Sequence, residues 1–237
     1  MPSRRQSALL LQLAGHGSGT SQRTVLDELR RAILDGGVPP GTPIPVSDVA
    51  DLFGVSAIPV RECLKTLTAE GLIAHQPNVG YFVAQLTAAE LAEMYLVRET
   101  LESAALAAAV HLASDADRRH VTEVHALLER AVQEDDSHTY HRQSREFHLG
   151  LARPAGMLRL LRMLESAWNI TEPVQLMVHV EPAQRALLQQ DHELMLDAYL
   201  RSDAETLLHA SADHNRRLNT VITSLRPGSG LVADPPD

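Results

Sequence analysis

The chain has 237 residues, of which 44% are hydrophobic and 22% charged, a composition typical of a globular protein with one large or two ordinary domains. No apolar run reaches the roughly 18 residues that a membrane helix needs, and a single cysteine excludes an intrachain disulfide. The short apolar patch SALLLQLAGHGSG has the character of a signal-peptide core, but it leads straight into a helical pattern. We therefore expect a cytoplasmic protein.

The whole net charge of −9 comes from residues in the second part of the chain. Residues 1–86 contain seven basic and seven acidic residues, whereas residues 87–237 contain 14 basic and 23 acidic residues and ten of the 12 histidines. Such a change in composition indicates a domain boundary. The predicted divisions are a flexible N-terminal tail at 1–19, a first domain at 20–85, a second domain at 86–226 and a loose, Pro- and Gly-rich tail at 227–237.

The first domain has the pattern of a helix, a helix-turn-helix and a hairpin. Apolar residues after Thr24, a candidate N-cap, recur with a helical period, and DGGVPPGTP ends that helix. The next stretch, VSDVADLFGVSAIPVRECLKTLTAEGLI, predicts two short helices separated at Gly54, with Ser56 capping the second and Pro59 in its first turn. LIAHQPNVGYFVAQL alternates around a Pro-Asn-Val-Gly turn and predicts a β-hairpin.

This order of elements is that of a winged helix. In such a domain the second helix of the helix-turn-helix enters the major groove, and the hairpin reaches the DNA backbone or the minor groove. The pattern alone leaves a second interpretation open, because helix-turn-helix shapes also occur as packing modules without DNA.

Specific motifs make the first domain similar to the DNA-binding domain of the GntR family of bacterial transcription regulators. The matching motifs are PPG at 39–41, GVS at 54–56, PVRE at 59–62, EGL at 70–72 and GYFV at 80–83. The resemblance covers roughly residues 20–85 and implies DNA binding. It also implies that Arg61 contacts a base or a phosphate, a role suited to a guanidinium that can bond guanine O6 and N7 together.

The resemblance implies further DNA contacts at the start of the recognition helix and in the wing, where a glycine lets the backbone approach DNA closely. These candidate contacts are Ser56, Ala57, Ile58, Lys65, His75, Asn78 and Gly80.

The chain departs from the family at Ala57, where an arginine is usual, and at a second position in the preceding helix that is commonly basic. Because phosphate contacts supply much of DNA affinity, we expect weaker and more salt-sensitive binding than is usual in the family, unless other cations compensate. The cations available for compensation are Arg4, Arg5, Arg23 and Lys65. An alternative role for Arg61 is a structural ion pair with Glu62 or Asp51.

Every segment after Leu86 reads as helix, which predicts an antiparallel helical bundle. Thr87 and Glu90 have the spacing of a capping box at the start of its first helix. His192 precedes the RSDAE turn by about ten residues and His214 follows it by about eleven, so at ~1.5 Å per residue both lie ~15 Å from the turn and can face each other. Two histidines that meet inside a bundle are costly to bury unless they bind something.

His148 lies four residues after Ser144 in SREFH, on the same helix face. A single histidine is usually explained by an ordinary core or surface position. We assign that interpretation to His111, His120, His125, His138, His141, His179 and His209. For His148, His192 and His214 we favour a shared site.

The second domain is similar to the all-helical, FCD-like ligand-binding domain of FadR-type GntR regulators. The matching motifs are YLVRETLESAALAAAV, EFHLGLA and DHELMLDAYLRSDAE. The resemblance implies a divalent metal, held by an aspartate and three histidines, that helps to bind a small carboxylate effector. The implied metal ligands are His148, His192 and His214, and the effector pocket residues are Arg98, Glu102 and Ser144, with Ser144 at the position of the usual aspartate.

The missing aspartate narrows the choice of metal. Three neutral imidazoles suit Zn²⁺ or Ni²⁺ and leave positions for water or a carboxylate, whereas hard ions such as Mg²⁺ are disfavoured. The site also gains one unit of positive charge, which favours an anionic ligand. Two alternatives are a metal-free pocket, in which the histidines and Arg98 hold an organic anion directly, and a degenerate pocket.

The expected fold is therefore mainly α, with a winged helix-turn-helix and its small β-hairpin wing followed by a helical bundle. The expected function is a homodimeric, ligand-responsive regulator on a pseudo-palindromic DNA site, and the resemblance implies a repressor. One competing class is a metalloenzyme, against which we note that no Glu or Asp is placed as an obvious general base. Another is an architectural DNA-binding protein with an inert helical half.

Overall fold

The computed structural model describes residues 8–13, 21–225 and 231–232. Predictions for Arg4, Arg5 and the remainder of both tails lie outside these residues. The chain divides into two compact units. The first, which we call the head, comprises the described residues up to Leu86 with Asn169–Val174 and 231–232, and the second, the helical unit, comprises Thr87–Trp168 and the residues from Gln175 onward.

The head combines helices with a three-stranded antiparallel sheet in the order β1-β3-β2. Its helices α1 to α4 span Ala8–Gln12, Gln22–Leu34, Val46–Phe53 and Ala57–Ala69, and its strands β1 to β3 span Pro43–Ile44, Ile73–Gln76 and Gly80–Val83. The predicted winged helix-turn-helix is confirmed. Strand β1, which places Ile44 opposite Tyr81, is an addition, because two residues are too few to show an alternating pattern in the sequence.

Local sequence explains where the head helices begin and end. Gly54 ends α3 with φ of 64°, a left-handed conformation that favours glycine. The prediction of Thr24 as the N-cap of α2 is wrong, because Ser21 precedes the helix and its Oγ accepts the Thr24 amide at 3.2 Å. A cap lies before the first helical residue and bonds the amide three residues on, so Thr24 is the partner of the cap.

Helix α1 differs from the flexible tail predicted for residues 1–19. Leu9 and Leu13 are fully buried in the same apolar core as residues of α2, α3 and α4. The two leucines are four residues apart, so a helix places them on one face. The apolar patch that resembles a signal-peptide core therefore packs, between Leu9 and Leu13, as part of the head.

The helical unit is built from long helices, as predicted. Helices α5 to α10 span Ala88–Leu112, Asp115–Gln133, Ser137–Ala152, Leu158–Thr171, Pro182–Leu200 and Ala204–Thr223. Short 3-10 turns span Arg153–Ala155, Glu172–Val174 and Leu176–His179. The turn Glu172–Val174 and the last three residues of α8 belong to the head. Thr87 and Glu90 form the predicted capping box of α5, and Asp203 caps α10. Among the described residues, none of the helices has the length and apolarity required to cross a bilayer.

The packing of α1 is tested by two leucine substitutions in the same helix. Leu9→Ala removes a fully buried side chain and should lower the free energy of unfolding by about 2–5 kcal/mol. Leu11→Ala is the matched control, since Leu11 is 60% exposed and its loss should change stability by less than about 0.5 kcal/mol. Urea unfolding followed by circular dichroism measures both, and equal effects would contradict the packing of α1.

Candidate histidine site and DNA-binding surface

Three histidines meet inside the helical unit. His148 of α7, His192 of α9 and His214 of α10 are all almost fully buried. Their ring centroids lie 4.6 to 5.2 Å apart, and one nitrogen of each lies within 4.8 Å of a nitrogen of the other two. The Nε2 atoms of His148 and His192 are 3.2 Å apart. The structure thus brings together the three residues that the sequence predicts as metal ligands, which we call the histidine cluster.

The outer nitrogen of His148 faces a buried carboxylate. Glu102 of α5 places its Oε2 atom 3.3 Å from His148 Nδ1. Trp168 Nε1 donates a hydrogen bond of 3.0 Å to the other oxygen of Glu102 and so fixes the carboxylate. An ionised carboxylate can only accept, so the proton of His148 belongs on Nδ1 and its Nε2 keeps a lone pair.

The outer nitrogen of His214 faces a second carboxylate. Asp191 Oδ2 lies 3.6 Å from His214 Nδ1, which is beyond hydrogen-bond distance but still an electrostatic contact. Arg217 holds Asp191 through donor bonds of 2.9 and 3.3 Å to its two oxygens. The negative oxygen favours a proton on Nδ1, which leaves Nε2 of His214 as the free acceptor.

Neutral groups surround the outer nitrogen of His192. The Tyr140 hydroxyl and Gln189 Oε1 each lie 3.3 Å from His192 Nδ1. Gln189 Nε2 then donates to His125 Nε2 at 3.0 Å. Since an amide oxygen only accepts, a proton on His192 Nδ1 would be bonded to Gln189 and would leave Nε2 as an acceptor, the form in which this ring can bind a metal.

His148 and His192 thus turn their Nε2 atoms toward each other, and His214 brings one ring nitrogen within 4.8 Å of a nitrogen of both. Metal-bound histidines commonly donate their other ring N–H to a carboxylate or similar acceptor, as these three are placed to do. Zinc bonds of about 2.0–2.1 Å at a tetrahedral angle hold two nitrogens roughly 3.3–3.4 Å apart. The 3.2 Å between His148 and His192 is close to that value. The donor set and spacing fit Zn²⁺ or Ni²⁺.

Burial favours the neutral form of His192 and His214. It lowers the pKa of His192 well below the ordinary value, and the neighbouring His214 and His148 lower it further. Burial lowers the pKa of His214 to about 4, although the nearby carboxylate of Asp191 acts in the opposite direction. A neutral imidazole is the form that binds a metal.

The two carboxylates next to the cluster are held in the ionised form. Burial raises the pKa of each, but the histidine and the arginine beside it outweigh burial and bring the pKa below its ordinary value. These neighbours are His148 and Arg98 for Glu102, and His214 and Arg217 for Asp191. Each carboxylate thus has its own cation.

The predicted pocket residues lie around His148. The guanidinium carbon of the buried Arg98 is 3.1 Å from the centroid of the Trp168 ring, which lies 5.5 Å from the ring of His148. Glu102 connects these groups through its contacts with both rings. Ser144 is buried one turn before His148 on α7.

Sequence analysis did not identify most of the groups that orient the cluster. These groups are Tyr140, Trp168, Gln189, Asp191 and Arg217. Two acidic residues contact histidines of the cluster: Glu102, which was predicted as a pocket residue, and Asp191, which was not. Only Gln189, three residues before His192 on one helix, has a spacing that could have signalled its role. The other contacts join different helices and depend on their packing.

The recognition helix α4 separates an apolar inner face from an exposed outer face. Its inner residues Val60, Cys63, Leu64 and Leu67 are fully buried. Ser56, Ala57, Ile58, Arg61 and Lys65, all predicted to contact DNA, are exposed. The spacing of Ile58, Arg61 and Lys65 places them along one side of the helix.

Arg61 differs from the other described cations of the head, since it makes no ion pair with any described residue. The others pair as follows: Arg23 with Asp27, Arg30 with Asp27 and Glu70, Arg31 with Glu28 and Asp35, and Lys65 with Glu62. The alternative role of Arg61 as a partner of Glu62 or Asp51 is therefore wrong for the part of the chain that is described. Of the cations that could compensate for the missing arginine, Arg23 and Lys65 are described residues. The Lys65 ammonium lies 2.8 Å from Glu62, and Arg23 is 3.8 Å from Asp27, so both are already partnered.

The wing presents its predicted residues at its tip and along β2. His75 of β2 is exposed, and its ring centroid lies 4.5 Å from that of Tyr81 on β3. Asn78 has φ of 65° in the exposed turn. Gly80 has φ of 123°, a value that favours glycine, and no atom lies within 4 Å of the position a Cβ would take. The backbone at Gly80 is therefore open to a close approach.

The two units match two known domain families. Residues 21–83 match the domain described as bacterial regulatory proteins, gntR family, and residues 93–217 match the FCD domain. The FCD match covers more than half of the chain. Each of the two domains expected from the sequence thus has a matching domain family.

Proteins similar to this chain include transcription regulators. A relative in Paenarthrobacter nicotinovorans, named as a probable D-xylose utilization operon transcriptional repressor, is 29% identical over 80% of this chain and 83% of its own length. The transcriptional regulator McbR of Escherichia coli K12 is 26% identical over 80% of this chain and 86% of its own. A solved structure of McbR/YncC from E. coli covers 86% of this chain and 98% of that chain, with a TM-score of 0.76 and 24% identity, and shows the same fold.

The winged head, the helical unit and the match of each to its own domain family lead to one assignment. These families comprise transcription regulators and not enzymes, which removes the metalloenzyme alternative. This chain belongs to the GntR family of DNA-binding transcription regulators, in the group that carries an FCD domain.

Proposed function

We propose that this chain is a homodimeric, cytoplasmic repressor whose helical unit binds a small organic acid through a divalent metal held by His148, His192 and His214. The observation that carries this proposal is the meeting of three buried imidazoles, in which the Nε2 atoms of His148 and His192 are 3.2 Å apart and one nitrogen of each ring lies within 4.8 Å of the other two. Each Nδ1 faces an acceptor, on Glu102 or Asp191 for two of them and on neutral groups for the third.

The orientation favours a metal over the metal-free alternative. With both protons on Nδ1, the two Nε2 atoms, 3.2 Å apart, would face each other as acceptors, and a cation between them would convert that repulsion into two bonds. A bound Zn²⁺ or Ni²⁺ would act as a Lewis acid that accepts a carboxylate oxygen. Because Ser144 carries no charge where the family usually has an aspartate, the ligand or water completes the coordination.

Arg98 supplies a cation beside the same cluster. Its guanidinium lies against Trp168 and is almost fully buried, so its position is fixed before a ligand arrives. A guanidinium in this setting pairs with a carboxylate through two parallel hydrogen bonds. We therefore expect an organic acid with one carboxylate at the metal and a further anionic or polar group near Arg98.

The proposed response to the acid starts from the helices that the cluster joins. The three histidines and Glu102 belong to α5, α7, α9 and α10, so a ligand bound among them acts on all four helices. A ligand shifts a conformational equilibrium only as far as it binds one state better than the other. In a two-fold dimer on a pseudo-palindromic site, such a shift changes how well two recognition helices fit two half-sites.

The role of α4 is tested by arginine substitution. Arg61→Ala should weaken binding to a duplex selected from random DNA by about tenfold or more, since a base-contacting arginine contributes about 1–3 kcal/mol. Arg31→Ala is the control, because Arg31 already pairs with Glu28 and Asp35. Fluorescence anisotropy with the full-length protein measures both. Equal losses for the two variants would contradict a specific contact by Arg61.

The metal is tested by elemental analysis of the purified protein. The wild type should retain Zn or Ni, and His192→Ala should lose it, while His209→Ala, an exposed histidine of α10, should retain it. Gln189→Leu should lower metal affinity by about 10–100-fold, because it removes an outer hydrogen bond. Unchanged metal content in His192→Ala would refute the site.

Small carboxylates should raise the melting temperature of the metal-loaded wild type. A ligand at 100 times its Kd adds about 2.7 kcal/mol of stability. The same acids should have little effect on His192→Ala, and an equal shift in that variant would support the metal-free pocket instead.

Protons should destabilise the metal-stripped protein over a defined range of pH. The pKa of His214 is about 4 in the folded chain against an ordinary 6.5, so the folded state binds fewer protons between these values. Stability is therefore complete above about pH 6.5 and falls as the pH drops toward 4, by on the order of 3 kcal/mol.

The depressed pKa of Asp191 acts in the same direction, but only as the pH falls below the ordinary carboxyl range. Melting temperatures of the chelator-treated protein between pH 5 and 7 isolate the histidine contribution. His214→Asn should reduce this slope and leave the part that His192 contributes, whereas His209→Asn should leave the whole slope unchanged. A wild-type slope that persists in His214→Asn would contradict the assignment.

A further inference from the structure

The most exposed large apolar side chain among the described residues is Ile58, at 73%. It is the second residue of α4 and follows the exposed Ala57. Neither side chain can donate or accept a hydrogen bond. The first turn of the recognition helix therefore presents an uncharged, apolar surface, where the family usually has an arginine in place of Ala57.

The fold of the head does not use Ile58. The apolar core of the head includes Val60, Cys63, Leu64 and Leu67 from α4, but Ile58 is neither in that core nor among the partly buried residues packed against it. An exposed isoleucine keeps its apolar surface in water and gains nothing from folding. Its replacement should therefore leave the stability of the head nearly unchanged.

The position of Ile58 relative to Arg61 suggests what covers it. The two residues are three apart on α4, so their side chains are neighbours on the outer side of the helix. Arg61 has no ion pair with a described residue, and a recognition helix contacts base edges with the residues of its N-terminal end. When this side of α4 lies in the major groove, Ile58 faces base edges and not water.

We propose that Ile58 reads the 5-methyl group of a thymine in each half-site of the operator. Thymine is the base that presents a methyl group in the major groove, and apolar side chains are the groups that contact it. Contact removes apolar surface of both partners from water. This inference rests on the proposed entry of α4 into the major groove. It goes further by naming thymine as a base that the helix selects.

The small side chain of Ala57 supports this choice of base. A long arginine at that position would compete for the same base edges and would favour guanine. With alanine there, the side chains of Ala57 and Ile58 offer no donor for guanine O6 or N7 and no acceptor for the amino group of cytosine. A thymine methyl is the one major-groove feature that this pair of residues can favour.

Replacement of thymine by uracil removes this methyl and leaves base pairing intact. The probe is the duplex that the full-length protein selects from random DNA, with each thymine in turn replaced by uracil. At one thymine in each half-site, replacement by uracil should lower the affinity of the wild type. The loss should be about fourfold for one replacement and about sixteenfold for both, as expected for one buried methyl per half-site. Ile58→Ala should bind the thymine and uracil duplexes within about twofold of each other.

Val79→Ala is the matched control, since Val79 is another apolar side chain of the head, 70% exposed at the tip of the wing. This variant should keep the wild-type ratio between thymine and uracil duplexes. If the protein selects a duplex but no thymine is sensitive, or if Ile58→Ala keeps the full sensitivity, the inference is wrong while the proposed function stands. If no duplex is selected, both are overturned.

Discussion

The groups that face the three imidazole Nδ1 atoms determine what the helical unit can bind. A buried histidine with a free choice of tautomer could present either a donor or an acceptor to its neighbours. Here Glu102, Asp191 and Gln189 occupy the outer side of one histidine each, so the inner side of the cluster consists of acceptors. A group of acceptors enclosed by protein attracts a cation, and this requirement makes metal binding the simplest account of the cluster.

Much of the fold follows from the sequence because its signals are local. Gly54 ends α3, and Thr87 pairs with Glu90, through contacts within a few residues along the chain. Strand β1 and helix α1 were missed because two residues show no alternation and a single Leu9–Leu13 pair is too short a pattern. Both elements are stabilised by packing against the remainder of the head, and that packing is a property of the fold.

In the candidate site, too, the regular geometry of helices could be used for prediction, whereas contacts between helices could not be predicted. His192 and His214 could be placed level with each other because helix rise and turn position are regular. The contact of Glu102 with His148 joins α5 to α7, and that of Asp191 with His214 joins α9 to α10. Such contacts depend on the rotation of each helix about its own axis, which the spacing of residues along one helix does not define.

In the proposed function, charge balance around the cluster would couple the metal to the acid. Glu102 lies near Arg98 and Asp191 is bonded to Arg217, so these four charges compensate one another before anything binds. Neutral imidazoles and Ser144 add no charge, and a divalent ion in their centre therefore introduces two uncompensated positive charges in a buried place. An aspartate at position 144 would offset one of them, but in this chain an anionic ligand must do so. The acid should then raise the affinity for the metal by the same factor by which the metal raises the affinity for the acid, because binding free energies are reciprocal.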